Sequence, residues 1–110
     1  MAVVYYHDGV VIPTLTPKGP DDDEWFGFDF SLLDNDAITG SAWLINGVEV
    51  ANPGDVVDGL VFGGKVNDTR KTRVRLSGGL LGNTYRITNR YSTTRIPTIL
   101  RSFEFVIAKL

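Results

Sequence analysis

Residues 82–91 read GNTYRITNRY, the clearest strand pattern in the chain. Side chains alternate here with a period of two, which indicates a β-strand with one buried face. In Gly82-Asn83-Thr84-Tyr85, a Tyr just after a turn resembles the tyrosine corner of Greek-key sandwiches. The strand would turn Arg86 and Arg90 towards solvent. Its inward face would consist of Tyr85, Ile87, Asn89 and Tyr91.

The same period of two recurs on both sides of this strand. Residues 24–30 place three Phe side chains on one face, at positions 26, 28 and 30. Residues 40–50 alternate around Trp43 and Ile45, and Asn46-Gly47 within them is a strong signal for a tight turn. The remaining alternating segments are residues 72–76, with Val74 and Leu76 inward, and residues 101–110, with Phe103, Phe105 and Ile107 on one side.

These strands predict an all-β protein. No window keeps apolar residues at helical spacing without interruption, so we expect an immunoglobulin-like antiparallel β-sandwich over residues 18–110, with Trp43 buried opposite Tyr85. Residues 1–17 are expected to be an extended N-terminal arm or an edge hairpin around Asp8-Gly9, which could dock on a neighbour. The surface connections are predicted at residues 17–23, 34–40, 52–59 and 63–68.

The composition is that of one globular domain. With 110 residues, of which 43% are hydrophobic and 22% charged, the chain can form one core but not two. The absence of cysteine excludes a disulfide framework, a Cys-ligated zinc site and a cysteine nucleophile. No segment has the roughly 20 apolar residues of a membrane span, and residues 1–16 lack the basic start of a signal peptide. We therefore expect synthesis in the cytosol.

Charge is unevenly distributed along the chain. Residues 1–60 hold 11 of the 13 acidic residues and only Lys18 among the 11 basic ones, so this part carries about −10 and the rest about +8. The bases are spread through strand-like segments rather than a low-complexity tail, so nucleic-acid binding is not expected. Copies could pair acidic face to basic face, head to tail. Alternatively, opposite charges neutralise one another within the folded monomer.

Residues that perform catalysis or bind metals form no convincing constellation. His7 is the only histidine, and beside Asp8 we expect a solvated turn residue rather than part of a catalytic triad or metal site. Asp34-Asn35-Asp36 with Gly40 partly matches a calcium loop but lacks the terminal bidentate acid. The acidic run at residues 21–24 is expected to be solvated.

The glycine pairs offer no phosphate site. Gly63-Gly64 and Gly78-Gly79 precede neither a Lys-Ser/Thr pair nor a helix, so both are interpreted as turns between strands. The sequon Asn67-Asp68-Thr69 has no predicted route to glycosylation. We therefore predict no catalytic, cofactor-binding or metal-binding residue, and a structural or binding module rather than an enzyme.

Several motifs together resemble a known family. They are KGPDDDE at residues 18–24, FDFS at 28–31, DAI at 36–38, SAW at 41–43, VRLSGG at 74–79, GNTYRITNR at 82–90 and RSF at 101–103. Their order and spacing are similar to those of small structural proteins of tailed bacteriophages, described as phage fibre-tail adaptors with an immunoglobulin-like sandwich. The resemblance implies a non-enzymatic virion protein that links tail, neck or fibre subunits. Its partners would be those subunits and copies of itself, with no nucleic acid, membrane or cofactor.

The chain departs from the family pattern in three places. The resemblance begins at Lys18, so residues 1–17 are an addition and a candidate docking arm. A Gly separates Lys18 from Pro20. Residues 93–98 stand where the family has a glycine-rich turn, which leaves the final hairpin an open question.

Two other functions remain open at this level. One is a capsid decoration (cement) protein that clamps neighbouring capsid subunits. The other is a surface module that binds host glycans through exposed aromatics such as Trp25, Tyr5 and Tyr6, although we prefer to interpret these as core or interface residues.

Overall fold

The computed structural model describes residues 2–5, 14–29 and 36–109. Within these ranges the chain consists of β-strands joined by turns. No helix in this described part is long and apolar enough to span a bilayer. The strands are β1 (Ala2–Tyr5), β2 (Asp23–Asp29), β3 (Ile38–Ile45), β4 (Val48–Val50), β5 (Val56–Val57), β6 (Leu60–Asn67), β7 (Lys71–Gly78), β8 (Thr84–Thr93) and β9 (Ile99–Val106).

The strands form two sheets that pack face to face. Sheet A has the order β1-β2-β7-β6-β5, and sheet B has the order β4-β3-β8-β9. Neighbouring strands are antiparallel except β1 and β2, which run parallel. Strands β2, β7 and β6 occupy the positions of strands B, E and D of an immunoglobulin fold, and β4, β3, β8 and β9 those of C′, C, F and G. The predicted all-β, immunoglobulin-like sandwich is confirmed.

The predicted strands are present with small differences in their bounds. Asn46-Gly47 is a two-residue hairpin turn with φ angles of 49° and 82°, so residues 40–50 contain two strands, β3 and β4. The last strand is Ile99–Val106 rather than 101–110. It pairs with β8, so the final hairpin forms despite the unusual residues 93–98.

Three turn predictions are wrong in part. Gly63-Gly64 lies inside β6, where the register against β7 shifts at a bulge between Phe62 and Gly64. Glycines and polar residues interrupt the alternation in this strand and so conceal it. Within the predicted connection at 34–40, Ile38 already begins β3. Within the connection at 52–59, Val56–Val57 forms β5, and Asp58-Gly59 is a further tight turn.

Aromatic side chains from both sheets fill the core. Phe26 and Phe28 face inward from β2 as predicted, whereas Phe30 lies outside the described residues. Trp43 is fully buried, with its ring centre 6.1 Å from that of Phe28, and Phe103 lies 5.6 Å from Phe28. Aromatic pairs at these separations are favourable beyond the burial of their area. The two sheets are therefore joined by contacts between rings.

The tyrosine corner is present. Tyr85 is fully buried, and its hydroxyl donates to the carbonyl oxygen of Asp58 at 2.6 Å. The same hydroxyl accepts a hydrogen bond from the amide of Leu80 at 3.0 Å. These bonds fix the β7–β8 connection against the β5–β6 turn, which brings sheet A and sheet B together at this end of the sandwich.

A buried polar bridge joins the sheets at mid-height. The Thr72 hydroxyl of β7 donates to Asn89 Oδ1 of β8 at 2.7 Å. Asn89 Nδ2 in turn donates to Ser41 Oγ at 2.8 Å and to the Ala42 carbonyl at 3.0 Å, both in β3. Thr72 and Asn89 are fully buried, and their side chains satisfy each other. Such a directional bridge fixes the alignment of the sheets more strictly than apolar contacts do.

Replacement of Trp43 tests the aromatic core. We expect Trp43→Ala to lower the free energy of unfolding by about 3–5 kcal/mol, a large part of the roughly 5–15 kcal/mol of a typical domain. Trp43→Phe should lose less, because a ring remains against Phe28 and the indole nitrogen has no hydrogen-bond partner among the described residues. Urea unfolding measures both. Trp25→Ala, at a half-buried position, is the control, and an equal loss there would contradict the assignment.

Replacement of Tyr85 tests the tyrosine corner. Tyr85→Phe keeps the ring in the core but leaves the Asp58 carbonyl and the Leu80 amide without this partner, so stability should fall by about 1–3 kcal/mol. The Leu80 amide should also exchange its hydrogen faster. Unchanged exchange at Leu80 would show that the corner does not hold this turn.

Candidate interaction surface

Residues 14–18 extend sheet B beyond β9. The amide of Leu15 donates to the Glu104 carbonyl at 2.8 Å, and the amide of Lys18 donates to the Val106 carbonyl at 3.0 Å. The Ala108 amide completes the contact by donating to the Lys18 carbonyl at 3.0 Å. This segment therefore protects part of a sheet edge that would otherwise present unpaired backbone groups.

Lys18 anchors this segment to the other sheet. Its side chain is 1% exposed, which is unusual for lysine. The Nζ atom donates to the Gly19 carbonyl at 2.7 Å and to the Gly78 carbonyl at 2.8 Å, at the end of β7. Burial lowers the pKa of Lys18, against the opposing effect of the carboxylates at positions 21–24. We call this arrangement the Lys18 clamp.

The acidic run that follows Lys18 is divided between separate roles. Asp22 closes a turn, because its carboxylate accepts the Gly19 amide at 3.0 Å. Asp23 forms a two-pronged ion pair with Arg75 of β7, with Nη2 to Oδ2 at 2.7 Å and Nε to Oδ1 at 2.9 Å. The hydrogen bond from Arg75 lowers the pKa of the Asp23 carboxyl group. In residues 14–29 and 36–109, no group of three His, Cys, Asp or Glu side chains is placed to hold a metal ion.

Asp36, the second acidic residue of the partial calcium-loop match, is a loop anchor. Its Oδ1 atom accepts the Ala37 amide at 2.9 Å and the Thr94 hydroxyl. These hydrogen bonds lower the pKa of the Asp36 carboxyl group, and the bond from Thr94 has the largest effect. The residue thereby ties the start of β3 to the β8–β9 loop. Asp34 and Asn35 lie outside the described residues, as do His7 and Asp8.

Ion pairs join the acidic and basic parts of the chain. Asp23 pairs with Arg75, and Glu49 pairs with Arg90 across the outer face of sheet B. A third pair, between Arg86 and Glu104, lies within the basic part. Opposite charges are thus neutralised within the folded monomer at these pairs, as the second of the two alternatives predicted. The pairs are exposed, apart from the half-buried Glu104, and each contributes little to stability on its own.

The outer face of sheet A brings Trp25 next to arginine side chains of β7. Trp25 is half-buried and in register with Arg75. A side chain at Gly63 would lie 3.1 Å from the stem of Arg75, and one at Gly27 would lie 2.3 Å from the Thr72 carbonyl and 3.0 Å from Arg73. The glycines therefore leave space for the arginines to lie across the strands. Tyr6, which was grouped with Trp25 as a possible glycan contact, is outside the described residues.

The opposite face has a shallow groove. It has a volume of about 240 Å³ and lies beside the β8–β9 loop. Its walls come mainly from Gly40, Ala42, Arg90, Ser92, Pro97 and Thr98. The apolar side chains exposed in the described residues are scattered rather than gathered at this groove. They are Val48, Val56, Val66, Leu80, Leu81, Ile96 and Leu100.

The Lys18 clamp and the Asp36 anchor were missed in the sequence. The only signal for Lys18 was its position as the single base among the first 60 residues, three positions before a run of four acids. Its partner Gly78 is 60 residues away, and no local pattern shows that contact.

The sequon residue Asn67 ends β6, and Asp68 closes the following turn by accepting hydrogen bonds from the amides of Arg70 and Lys71.

Comparison with known proteins adds one finding. A family model described as "Podophage GP4 fiber-tail adaptor protein gp77" matches residues 18–105. The matched region begins at the Lys18 clamp and ends within β9. No curated protein and no solved structure matches the chain.

Replacement of Lys18 tests the clamp. Lys18→Met should cost about 1–3 kcal/mol because the Gly78 carbonyl loses a buried donor. The pKa of Lys18 is lower in the folded protein than in the unfolded chain, so the folded protein binds the ammonium proton of Lys18 less tightly. The free energy of unfolding of the wild type should therefore rise with pH between the lowered pKa and 10.5. Lys18→Met should remove that rise.

Urea unfolding across the alkaline range measures this effect. Lys109→Met, which changes an exposed lysine, is the matched control and should keep the rise. If both variants show the wild-type pH dependence, Lys18 is not clamped as described.

Proposed function

Since the chain belongs to the podophage GP4 fiber-tail adaptor family, we propose that it joins fibres to the tail or neck of a tailed phage, in several copies per particle. Membership of this family makes it a structural, virion-associated protein. The proposal adds the place on the particle, the self-association and the absence of enzymatic activity.

The extent of the family match carries this proposal. Residues 18–105 include every strand from β2 to β8 and nearly all of β9, and they contain nearly the whole core. The matched region therefore corresponds to the folded sandwich and not to a fragment of it. A sandwich held together by one continuous core suits a connector, whose task is to hold two partners at a fixed separation.

The edges of the sandwich indicate how partners would be separated. Ala2–Tyr5 lies on the edge of sheet A and residues 14–18 lie on the edge of sheet B beside β9, so these two described segments occupy one side. The opposite side ends in the short strands β4 and β5, where Val48 and Val56 are more than half exposed. We propose that the first side contacts other copies and that the second side contacts a tail or fibre subunit. Nucleic acid, membrane and cofactor play no part in this proposal.

Immunogold electron microscopy of purified virions tests the placement. Antibody against this protein should label the neck or tail. Uniform label over the head would instead favour the capsid decoration function. Absence of label from intact and gently opened particles would overturn the proposal that the protein is part of the virion.

Deletion of residues 1–13 tests the role of the N-terminal side. The deletion ends before Thr14, because residues 14–18 bind β9 and Leu15 packs against the core. We expect a folded protein, by circular dichroism and thermal unfolding, that fails to join particles when it replaces the full chain. Val66→Ser, on sheet A away from this side, is the control and should assemble. Normal incorporation of the truncated protein would contradict the proposal.

A further inference from the structure

β1 differs from the other strands in how it is attached. Among the described strands it lies at the edge of sheet A, pairs with β2 alone and runs parallel to it, from Ala2 opposite Phe26 to Tyr5 opposite Asp29. Parallel neighbours require a long connection. Here the connection passes by way of residues 14–18, which belong to the other sheet. β1 is therefore joined to its own β2 only through a detour across the sandwich.

The core contacts that the structure describes come from residues after β1. Among the described side chains, those that form or pack against the core begin at Leu15, and the Lys18 clamp fixes the chain after it. The family match likewise begins at Lys18. β1 can thus leave its place without removing any of these contacts.

The edge of β2 that faces away from β7 is the edge on which β1 pairs. Asp23–Asp29 pairs with β7 on one side, and β1 covers only its last four residues on the other. Exposed strand edges bind added strands through backbone hydrogen bonds. An identical strand from a second copy would form the same bonds in the same register, so both arrangements have nearly equal pairing energy.

The connection is long enough for the exchange. Nine residue steps separate Tyr5 from Thr14, and a chain of this length reaches about 30 Å. Pairing within one chain requires only about 15 Å, because the sheets are about 10 Å apart. Phe28, opposite Val4 and so next to the level of Tyr5, packs against Phe103, and Phe103 adjoins Glu104, the bridge partner of Thr14. The connection therefore does not force β1 onto its own β2.

We propose that copies of this chain exchange β1, so that Ala2–Tyr5 of one copy pairs with β2 of a second copy. Exchange of an identical element is a low-cost route to oligomers. Whether β2 pairs with β1 of its own chain or of a second copy depends on the effective concentration of the chain's own β1. That concentration is about millimolar for a short connection. Copies arranged around a common axis would reach that concentration. This inference rests on the self-association proposed above and specifies its contact.

Disulfide trapping tests the exchange directly, because the chain has no cysteine. Tyr5→Cys and Asp29→Cys are purified separately, mixed at about 1 mM and oxidised. Tyr5 and Asp29 are in register on neighbouring strands, at a separation that a disulfide can bridge. We expect a dimer linked between positions 5 and 29, identified by peptide mapping after labelling one variant with ¹⁵N.

The control pair is Tyr5→Cys with Val56→Cys, which places the second thiol at the other edge of sheet A. The exchange predicts at least about tenfold more linked dimer from the first pair. Equal yields, with the double variant Tyr5→Cys/Asp29→Cys linked only within single chains, would overturn it. Light scattering separates the two proposals: oligomers without this link retain self-association and reject the exchange, whereas monomers at 1 mM reject both.

Discussion

The packing of aromatic rings between the two sheets is the interaction on which the rest of the structure depends. Trp43 and Phe103 come from sheet B and Phe26 and Phe28 from sheet A, and all four are buried in one cluster. Because side chains alternate along a strand, fixing these rings inside also fixes which residues face outward. The arginines of β7 and β8 reach solvent for that reason. Surface charge in this protein is thus a consequence of core register.

Packing of rings alone does not fix how one sheet is aligned on the other, because apolar contacts have little directional preference. The bond from Thr72 to Asn89 and the bonds of the Tyr85 hydroxyl act at two heights of the sandwich. A shift of one sheet along the other would leave these buried groups without partners, at a cost of about 1–3 kcal/mol for each. Apolar packing therefore supplies most of the stability, and a few polar contacts select one alignment of the sheets.

Features with a local physical cause were predictable from sequence, and features with a distant cause were not. Alternation fixed the faces of β2, β7 and β8, and a Tyr after a Gly-Asn turn identified the corner at Tyr85. β6 was hidden because its bulge at Gly63-Gly64 breaks the period of two. The burial of Lys18 depends on Gly78, which only the folded chain brings near. Function came from the joint order of many motifs rather than from any reactive residue.

The ion pairs change how the uneven charge along the chain should be understood. A head-to-tail assembly driven by charge requires an acidic face and a basic face, but Asp23 with Arg75 and Glu49 with Arg90 join the two parts of the chain on the same surfaces. Exposed pairs of this kind are weak and screened by salt. Backbone pairing at a strand edge is directional and far less sensitive to salt. If copies of this protein associate, strand edges therefore provide a more specific contact than charge does.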